Sequence, residues 1–552
     1  MHLTHATLSM WLAAASAASA SGAVSDWSNL GGNACANGLV AATGPDTPTQ
    51  IWSSGPGSLI AWAPATEGER IFVVRQAAFV PNQVPNDSRV VCLDLASGAT
   101  LWTFVCPYTS GDWTTVVYGA SQGRVFVGRG GNGSSVSAPV YCLNSATGAL
   151  LWVSPAEVAT GAYDGVVFTA EGDPIFTSNL EVRRLDAATG ATVWASARSC
   201  SVSGNCGPAR DGDALYLDEV APGGQVISRF DAATGQRLYS SPIMPGFLSQ
   251  NAPFCAPGGL VFYQRSQNQA SVDAMYAFRD TGTEFQLLWS HPTIYEYGAR
   301  HAITPDGGVT MLSPAGHLQI RDQLTGVLRF ESSAPVFNAA PISSMLAVDA
   351  AGKVFYGNSG FPGTLYSFDP DLAVRWSLAI PNLNQAGPVL AGDGSLLVAA
   401  TNAIRRYWTS LGTTFCAAVP NSTGDIGRLS ASGSVSAASN HLDLRATGLP
   451  PNTAGFFVTS ATQNPTGTIP PGSQGRLCLA GSIGRYLGPG QVQNSGPAGT
   501  FRLSLDLTLT PVPVGTVSVM AGDTRSWQAW HRDVNPTLTS NFTAALAIQF
   551  TP

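Results

Sequence analysis

Glu296, Arg300 and His301 fall within six residues of one another, and a carboxylate, a guanidinium and an imidazole at that spacing could move protons. No paired nucleophile accompanies them. The chain holds no H-E-x-x-H, no G-x-S-x-G, no P-loop and no C-x-x-C-H. Aspartate-rich turns (Asp369-Pro370-Asp371, Asp306-Gly307-Gly308, Asp393-Gly394) carry oxygen ligands that suit Ca2+. Each is too short for an EF-hand loop and sits where a hairpin must reverse, so turn chemistry explains it.

Sulfur is the other reactive element. Nine cysteines in one chain suggest disulfides if the chain is exported. Cys200 and Cys206 bracket a short loop and form one expected pair; Cys416 and Cys478, both in the last part of the chain, form the second. Cys92 and Cys142 hold equivalent places in neighbouring repeats and are expected to be buried thiols. Cys35, Cys106 and Cys255 remain, and the odd total leaves at least one thiol over unless chains pair.

The elements that must position these groups come from a repeat. One phrase recurs seven times between residues 90 and 376: an apolar pair, a polar residue, a small turn ending in Gly, then a strand ending in an aromatic. Leu185-Asp186-Ala187-Ala188-Thr189-Gly190 leading to Trp194 is one copy. Measured on the turn residues Asp94, Asn144, Asp186, Asp231, Asp280, Asp322 and Asp369, successive copies stand 42 to 50 residues apart. That period suits a four-stranded propeller blade. Between copies, short runs rich in Val, Phe, Tyr and Ile are broken by Gly, Pro, Asp and Ser, as strands are. Sixty Gly and 37 Pro leave little room for long helices. Within the phrase, Asp can hydrogen-bond the backbone two residues on, Gly supplies positive φ, and Trp offers a wedge between sheets.

An eighth unit has three strands, ending in Ile404-Arg405-Arg406-Tyr407-Trp408, and lacks the last one. The missing strand lies at the other end, at Thr49-Gln50-Ile51-Trp52. The expected ring is therefore an all-β, eight-bladed β-propeller closed by an N-terminal strand, which hides sheet edges that would otherwise invite aggregation. After Trp408 the phrase stops, and alternating runs such as Phe501 to Leu509 predict a C-terminal antiparallel β-sandwich. The expected divisions are a signal peptide over 1–20, a lead-in over 21–48, the propeller over 49–411 and the sandwich over 412–552.

The phrase Leu-Asp-Ala-Ala-Thr-Gly-x-x-x-Trp at 185–194, with the opening Asp26-Trp27-Ser28-Asn29-Leu30-Gly31-Gly32-Asn33, resembles the repeat of PQQ-like, or quinoprotein-alcohol-dehydrogenase-like, β-propellers. The C-terminal stretch resembles a module of exported bacterial proteins. The propeller resemblance implies a dehydrogenase, an outer-membrane assembly lipoprotein or a surface protein of unknown role. Its enzymes hold pyrroloquinoline quinone on the axis under an adjacent Cys-Cys disulfide, beside a Ca2+ bound by Glu, Asn and Asp. This sequence has no Cys-Cys pair, no haem motif and none of the long insertions of those enzymes. The reading is therefore a non-catalytic scaffold without cofactor, binding a protein or glycan through its rim or funnel. A PQQ-dependent oxidoreductase, or another small-ligand binder of that kind, is the alternative.

In a propeller the strand nearest the axis opens each blade, and its leading residues rim the funnel. Those positions hold Trp62, Trp113, Asn251, Glu296, Arg300, His301, Asn338 and Gln385, an aromatic, amide and charged set of the kind that lines ligand mouths. Net charge is −7 with a single Lys, Lys353, so nucleic acid is not an expected partner. The apolar run Leu8 to Ala20 ends in Ala18-Ser19-Ala20, an export signal too short for a membrane span. The expected product is a secreted, cell-surface or periplasmic monomer with no transmembrane segment.

Overall fold

The computed structural model describes residues 26–55, 63–75, 88–131, 136–161, 165–178, 180–200, 207–246, 251–265, 273–296, 298, 301–337, 346–358, 362–381, 383, 387–409, 411–440, 442–496, 499–534 and 537–552. The signal peptide expected over 1–20 lies outside them. Among the described residues, eight antiparallel sheets follow one another along the chain: sheet 1 over 65–104, sheet 2 over 114–153, sheet 3 over 166–197, sheet 4 over 209–240, sheet 5 over 254–292, sheet 6 over 308–331, sheet 7 over 346–380 and sheet 8 over 389–407. Sheets 1 to 5 and 7 have four main strands each, in chain order, as a propeller blade does. Sheet 6 has three, with Ile303 bridged to Val309 in place of the first. The fourth strand of sheet 8 is Gln50–Ser54, which sets Gln50 opposite Tyr407 and Trp52 opposite Arg406.

The repeated turn forms as its residue types dictate. The Oδ1 of Asp186 accepts from the backbone N–H groups of Ala188 and Thr189 and from the Thr189 hydroxyl (3.1, 2.8 and 2.7 Å). Asn144, Asp231 and Asp322 do the same for Thr147, Thr234 and Thr325. The closing glycines 98, 148, 190, 235 and 326 all have φ between 68° and 74°.

The aromatic that ends each phrase acts on the next sheet. Trp52, Trp102, Trp152, Trp194 and Trp289 donate their indole N–H to backbone carbonyls of Leu95, Ser145, Ala187, Ala232 and Gln323 at 2.9 to 3.2 Å. Each ring lies flat against the turn glycine of that sheet, where a Cβ would meet it at 2.4 to 2.8 Å. Sheet 4 ends in Tyr239 instead, and its hydroxyl donates to Asp280 of sheet 5 at 2.5 Å. The turns that follow sheets 6 and 7 lack the Thr-Gly pair. There the aromatics are Phe330, with no donor, and Trp376, whose Nε1 has no hydrogen-bond partner among the described residues.

The lead-in makes one circuit of the axis. Trp27 pairs with Thr66 of sheet 1, and the Ser28 carbonyl accepts from Ala120 of sheet 2. The Ala34 carbonyl accepts from Arg210 of sheet 4, Cys35 from Cys255 of sheet 5, Asn37 from Ile303 of sheet 6 and Gly38 from Val348 of sheet 7, at 2.8 to 3.0 Å. Thr43 then closes on Gly394 of sheet 8. These contacts fall toward the end of each first strand, beside the turn into the second. Residues 27–44 thus fill the channel on the turn side. Gly38, with φ +63°, passes so close to the carbonyl of Leu346 that a Cβ would meet it at 2.7 Å. Trp27 is almost wholly buried in the core shared by sheets 1, 7 and 8.

Beyond residue 411, a seven-stranded sheet and the three-stranded sheet Arg428–Gly433, Leu442–Thr447, Phe501–Leu505 share an apolar core around Phe457, Phe501, Trp527 and Leu546. Cys416 and Cys478 are joined, with Cα atoms 6.2 Å apart. This part docks on the turn side of sheets 1 and 8. Glu69 of sheet 1 meets Arg502, and Arg445 at 3.8 Å. A cavity of about 300 Å3 remains there between Glu69, Asp393, Trp408, Asp443, Arg445 and Arg502.

Candidate functional site

The face of the ring opposite the plug gathers the candidate mouth residues that the structure describes. Its polar groups come from the ends of second strands and from the connections that lead into first strands. Of the mouth positions read from sequence, Trp62, Arg300, Asn338 and Gln385 lie outside the described residues. Trp113 is half-buried, with its N–H donating to Gly130 at 2.9 Å. Asn251, Glu296 and His301 come together, with Gln264 between them. Asn251 donates from Nδ2 to the carbonyls of Gln264 (3.0 Å) and Glu296 (3.3 Å). Gln264 donates from Nε2 to Glu296 Oε2 at 2.8 Å, and that oxygen is 3.0 Å from His301 Nε2. His301 Nε2 also meets Gln264 Oε1. All four side chains are buried, and among the described residues His301 Nδ1 has no hydrogen-bond partner. The cluster is a buried network rather than an open lip. Its carboxylate and imidazole could exchange a proton with each other, but their shared contacts are used to fix the connection between sheets 5 and 6.

Two further networks on this face escaped the sequence reading. In sheet 2 the Arg129 guanidinium clasps Asp112 through Nε and a terminal nitrogen (2.6 and 2.8 Å) and donates to Thr115 Oγ1 at 2.7 Å. Both charged side chains are excluded from solvent (1% and 0% exposed). Arg198, just past the end of sheet 3, pairs with Asp218 of sheet 4 at 2.7 Å and donates to the carbonyls of Ser178 and Asp218. Burial pushes the Asp218 carboxyl up, and the Arg198 charge opposes it only in part. The signal was present: the apolar second strands of sheets 2, 4 and 5 carry charge toward their ends, at Val127-Gly128-Arg129, Leu217-Asp218-Glu219 and Tyr263-Gln264-Arg265. A strand end that carries a buried charge needs a partner close by.

Among the described residues no group of three His, Cys, Asp or Glu side chains is placed to hold a metal ion. Glu296 is bound up with Gln264 and His301, and Asp112 and Asp218 are each committed to an arginine. The described donors therefore do not fit a Ca2+–quinone pair, and no chemical step is drawn through one. Elsewhere, Cys92 and Cys142 are fully buried, and burial pushes both thiols up to about 12. Cys200 donates to Asp218 at 3.7 Å, and its expected partner Cys206 lies outside the described residues. In the C-terminal part Trp527 is wholly buried, and Trp530 is half-buried against Phe456 and Arg532.

A family model described as outer membrane protein assembly factor BamB matches residues 86–329, from sheet 1 into sheet 6. The matched stretch is thus similar to that family's repeat. Similar solved structures include BamB from Moraxella catarrhalis (15% identity, 65% of this chain and 99% of that one, TM-score 0.46). Another is the quinohemoprotein alcohol dehydrogenase ADHIIG from Pseudomonas putida HK5 (11%, 72% and 84%, 0.48). A third is a europium-containing methanol dehydrogenase (14%, 68% and 89%, 0.38). No curated protein matches. Among the described residues no helix is long and apolar enough to cross a membrane.

Proposed function

We propose that the chain is an exported, non-catalytic propeller scaffold that binds a protein partner along the rim of sheets 1 to 4. One observation carries this reading. The residue just before the wedge aromatic faces outward, where any polar residue would serve, yet it is aliphatic and exposed in four successive sheets: Leu101, Leu151, Val193 and Leu238. At the same place sheets 6 and 7 have Arg329 and Arg375. Each of these last strands offers a free edge to which an extended segment can add, with main-chain hydrogen bonds for affinity and side-chain grooves for choice. A groove of about 420 Å3 beside the strand Thr192–Ala197, walled by Glu157, Leu180 and Arg183, lies next to that edge. The matching family's description, an outer membrane protein assembly factor, agrees with a protein partner in the cell envelope.

The test is site-directed photocrosslinking in envelope preparations. A crosslinker at Val193 or Leu151 is expected to trap a discrete partner, and one at Val514, exposed on the C-terminal part, is not. The double change Leu151→Asp, Val193→Asp should abolish co-purification of that partner and leave Tm unchanged. Equal trapping from Val514, or binding that survives the double change, rejects the rim. A Tm rise with pyrroloquinoline quinone plus Ca2+ would favour the oxidoreductase alternative, because a ligand that binds only the native state stabilises it.

A further inference from the structure

We propose that Cys35 and Cys255 form a disulfide that staples the axial plug to the innermost strand of sheet 5. The backbone already brings them together. The N–H of Cys255 donates to the Cys35 carbonyl at 2.9 Å. A backbone pairing of that kind holds two Cα atoms roughly 5–6 Å apart, inside the span a disulfide bridges. Asn37, two residues on, donates from its side-chain amide to the Cys255 carbonyl at 2.8 Å, so the strand and the plug are clamped on both sides of the pair. The Cys35 side chain packs against the buried cluster that contains Cys255. Both belong to one apolar cluster with Ala36, Ala209 and Phe254.

The two sulfurs have different access. Cys35 is half-exposed and its thiol donates to the Arg210 carbonyl at 3.4 Å, while Cys255 is wholly buried. Cys35 is thus the sulfur that meets the oxidant, a dithiol–disulfide oxidoreductase or a low-molecular-weight disulfide. The Cys35 thiolate attacks one oxidant sulfur and expels the other as a thiolate. The Cys255 thiolate then attacks the Cys35 sulfur and expels the second oxidant thiolate. Two electrons pass to the oxidant, and the two protons lost by Cys35 and Cys255 match the two its thiols gain. Burial, with Cys35 alongside, pushes the Cys255 thiol well up, so its thiolate is scarce once the ring has packed. The bond is therefore made while the chain is folding, and it is shielded from reductants afterwards.

The test refolds the reduced, denatured full chain with oxidised glutathione, then alkylates it in denaturant without reductant and maps its peptides. A crosslinked peptide joining Cys35 to Cys255 is expected alongside the one joining Cys416 to Cys478, which shows that oxidation sufficed. Alkylated Cys35 and Cys255 in a sample whose Cys416–Cys478 bond has formed would overturn the proposal. Tm gives a second readout. In unreduced protein, C35S, C255S and the double variant should lose the same number of degrees, because all three remove one bond. Losses that instead add from the two single variants to the double are the contrary result.

Discussion

Trp194 donates its indole N–H to the carbonyl of Ala232 at 3.2 Å, and its ring covers Gly235 of the following sheet at a distance that leaves no room for a methyl group. Hydrogen bond and glycine form one lock across a sheet boundary. The aromatic belongs to one repeat and its receptor to the next, so neither repeat can bury its face alone.

The lock sets how unequal the glycines are. Gly190 and Gly212 both have positive φ, but a Cβ at Gly190 would stand 2.5 Å from the Trp152 ring, while at Gly212 nothing lies within 4 Å. Gly190→Ala should cost about 2–4 kcal/mol, from overpacking added to left-handed strain. Gly212→Ala should carry the strain alone, about 1 kcal/mol. Thermal unfolding of the two variants side by side measures the difference, and equal losses would dissolve the lock.

The indole N–H can be tested separately from the ring. Trp194→Phe keeps most of the apolar area and removes the donor, at a cost of about 1 kcal/mol or slightly more. Trp376→Phe removes a buried N–H that has no hydrogen-bond partner among the described residues, and should cost less than Trp194→Phe. Denaturant midpoints with unchanged m-values are the appropriate readout.

The pair Arg129–Asp112 should behave as a buried ion pair. Arg129→Met strands the carboxylate away from water and is expected to destabilise by about 3–5 kcal/mol. Adding Asp112→Leu should restore most of that loss, because the pair is then replaced by apolar groups. A double variant as unstable as the single one would mean that the network is needed for more than charge balance.

Two aspartates bracket the plug and titrate in opposite senses. Burial raises Asp26 to about 6, helped by Glu67 and opposed by the Gly68 N–H that it accepts at 2.9 Å. A carboxyl raised on folding favours the native state while protonated, so its contribution is complete below pH 3.8 and fades as pH rises through about 6. Asp26→Asn, which keeps the oxygen that Gly68 needs, should stabilise the protein at pH 7.5, with the gain shrinking toward pH 4. A gain independent of pH would contradict this. Burial also presses Asp46 upward, but Lys353 and Arg375 outweigh it and hold the carboxyl below its ordinary range. Its contribution is present above pH 3.8 and is lost on further acidification.

What the sequence disclosed and what it hid have separate physical causes. The Asp-x-x-x-Gly turn and its Trp were legible because both act locally, within one hairpin and the next. The strand around Ile51 was legible because it fills a gap in a count. The circuit made by residues 27–44 was not. It has no period of its own, and each carbonyl pairs with a residue tens to hundreds of positions away. At the mouth, Glu296 and His301 were singled out on type and spacing, and they do meet. Gln264, which joins them, sits at the end of an apolar strand and gave no such sign. Arg129 and Arg198 were missed for the same reason, since their partners are set by where strands end.

The circuit of the lead-in also fixes an order of events during synthesis. Trp27 and Gly38 leave the ribosome ahead of their partners, which are spread from Thr66 to Val348, and Trp52 waits for Arg406. Loop closure over such spans is slow, and the early segment stays unsatisfied while the rest of the chain appears. A truncated product that stops short of the last sheet leaves both the hub and the seam exposed. Quality control therefore has a clear mark by which to tell unfinished chains from finished ones.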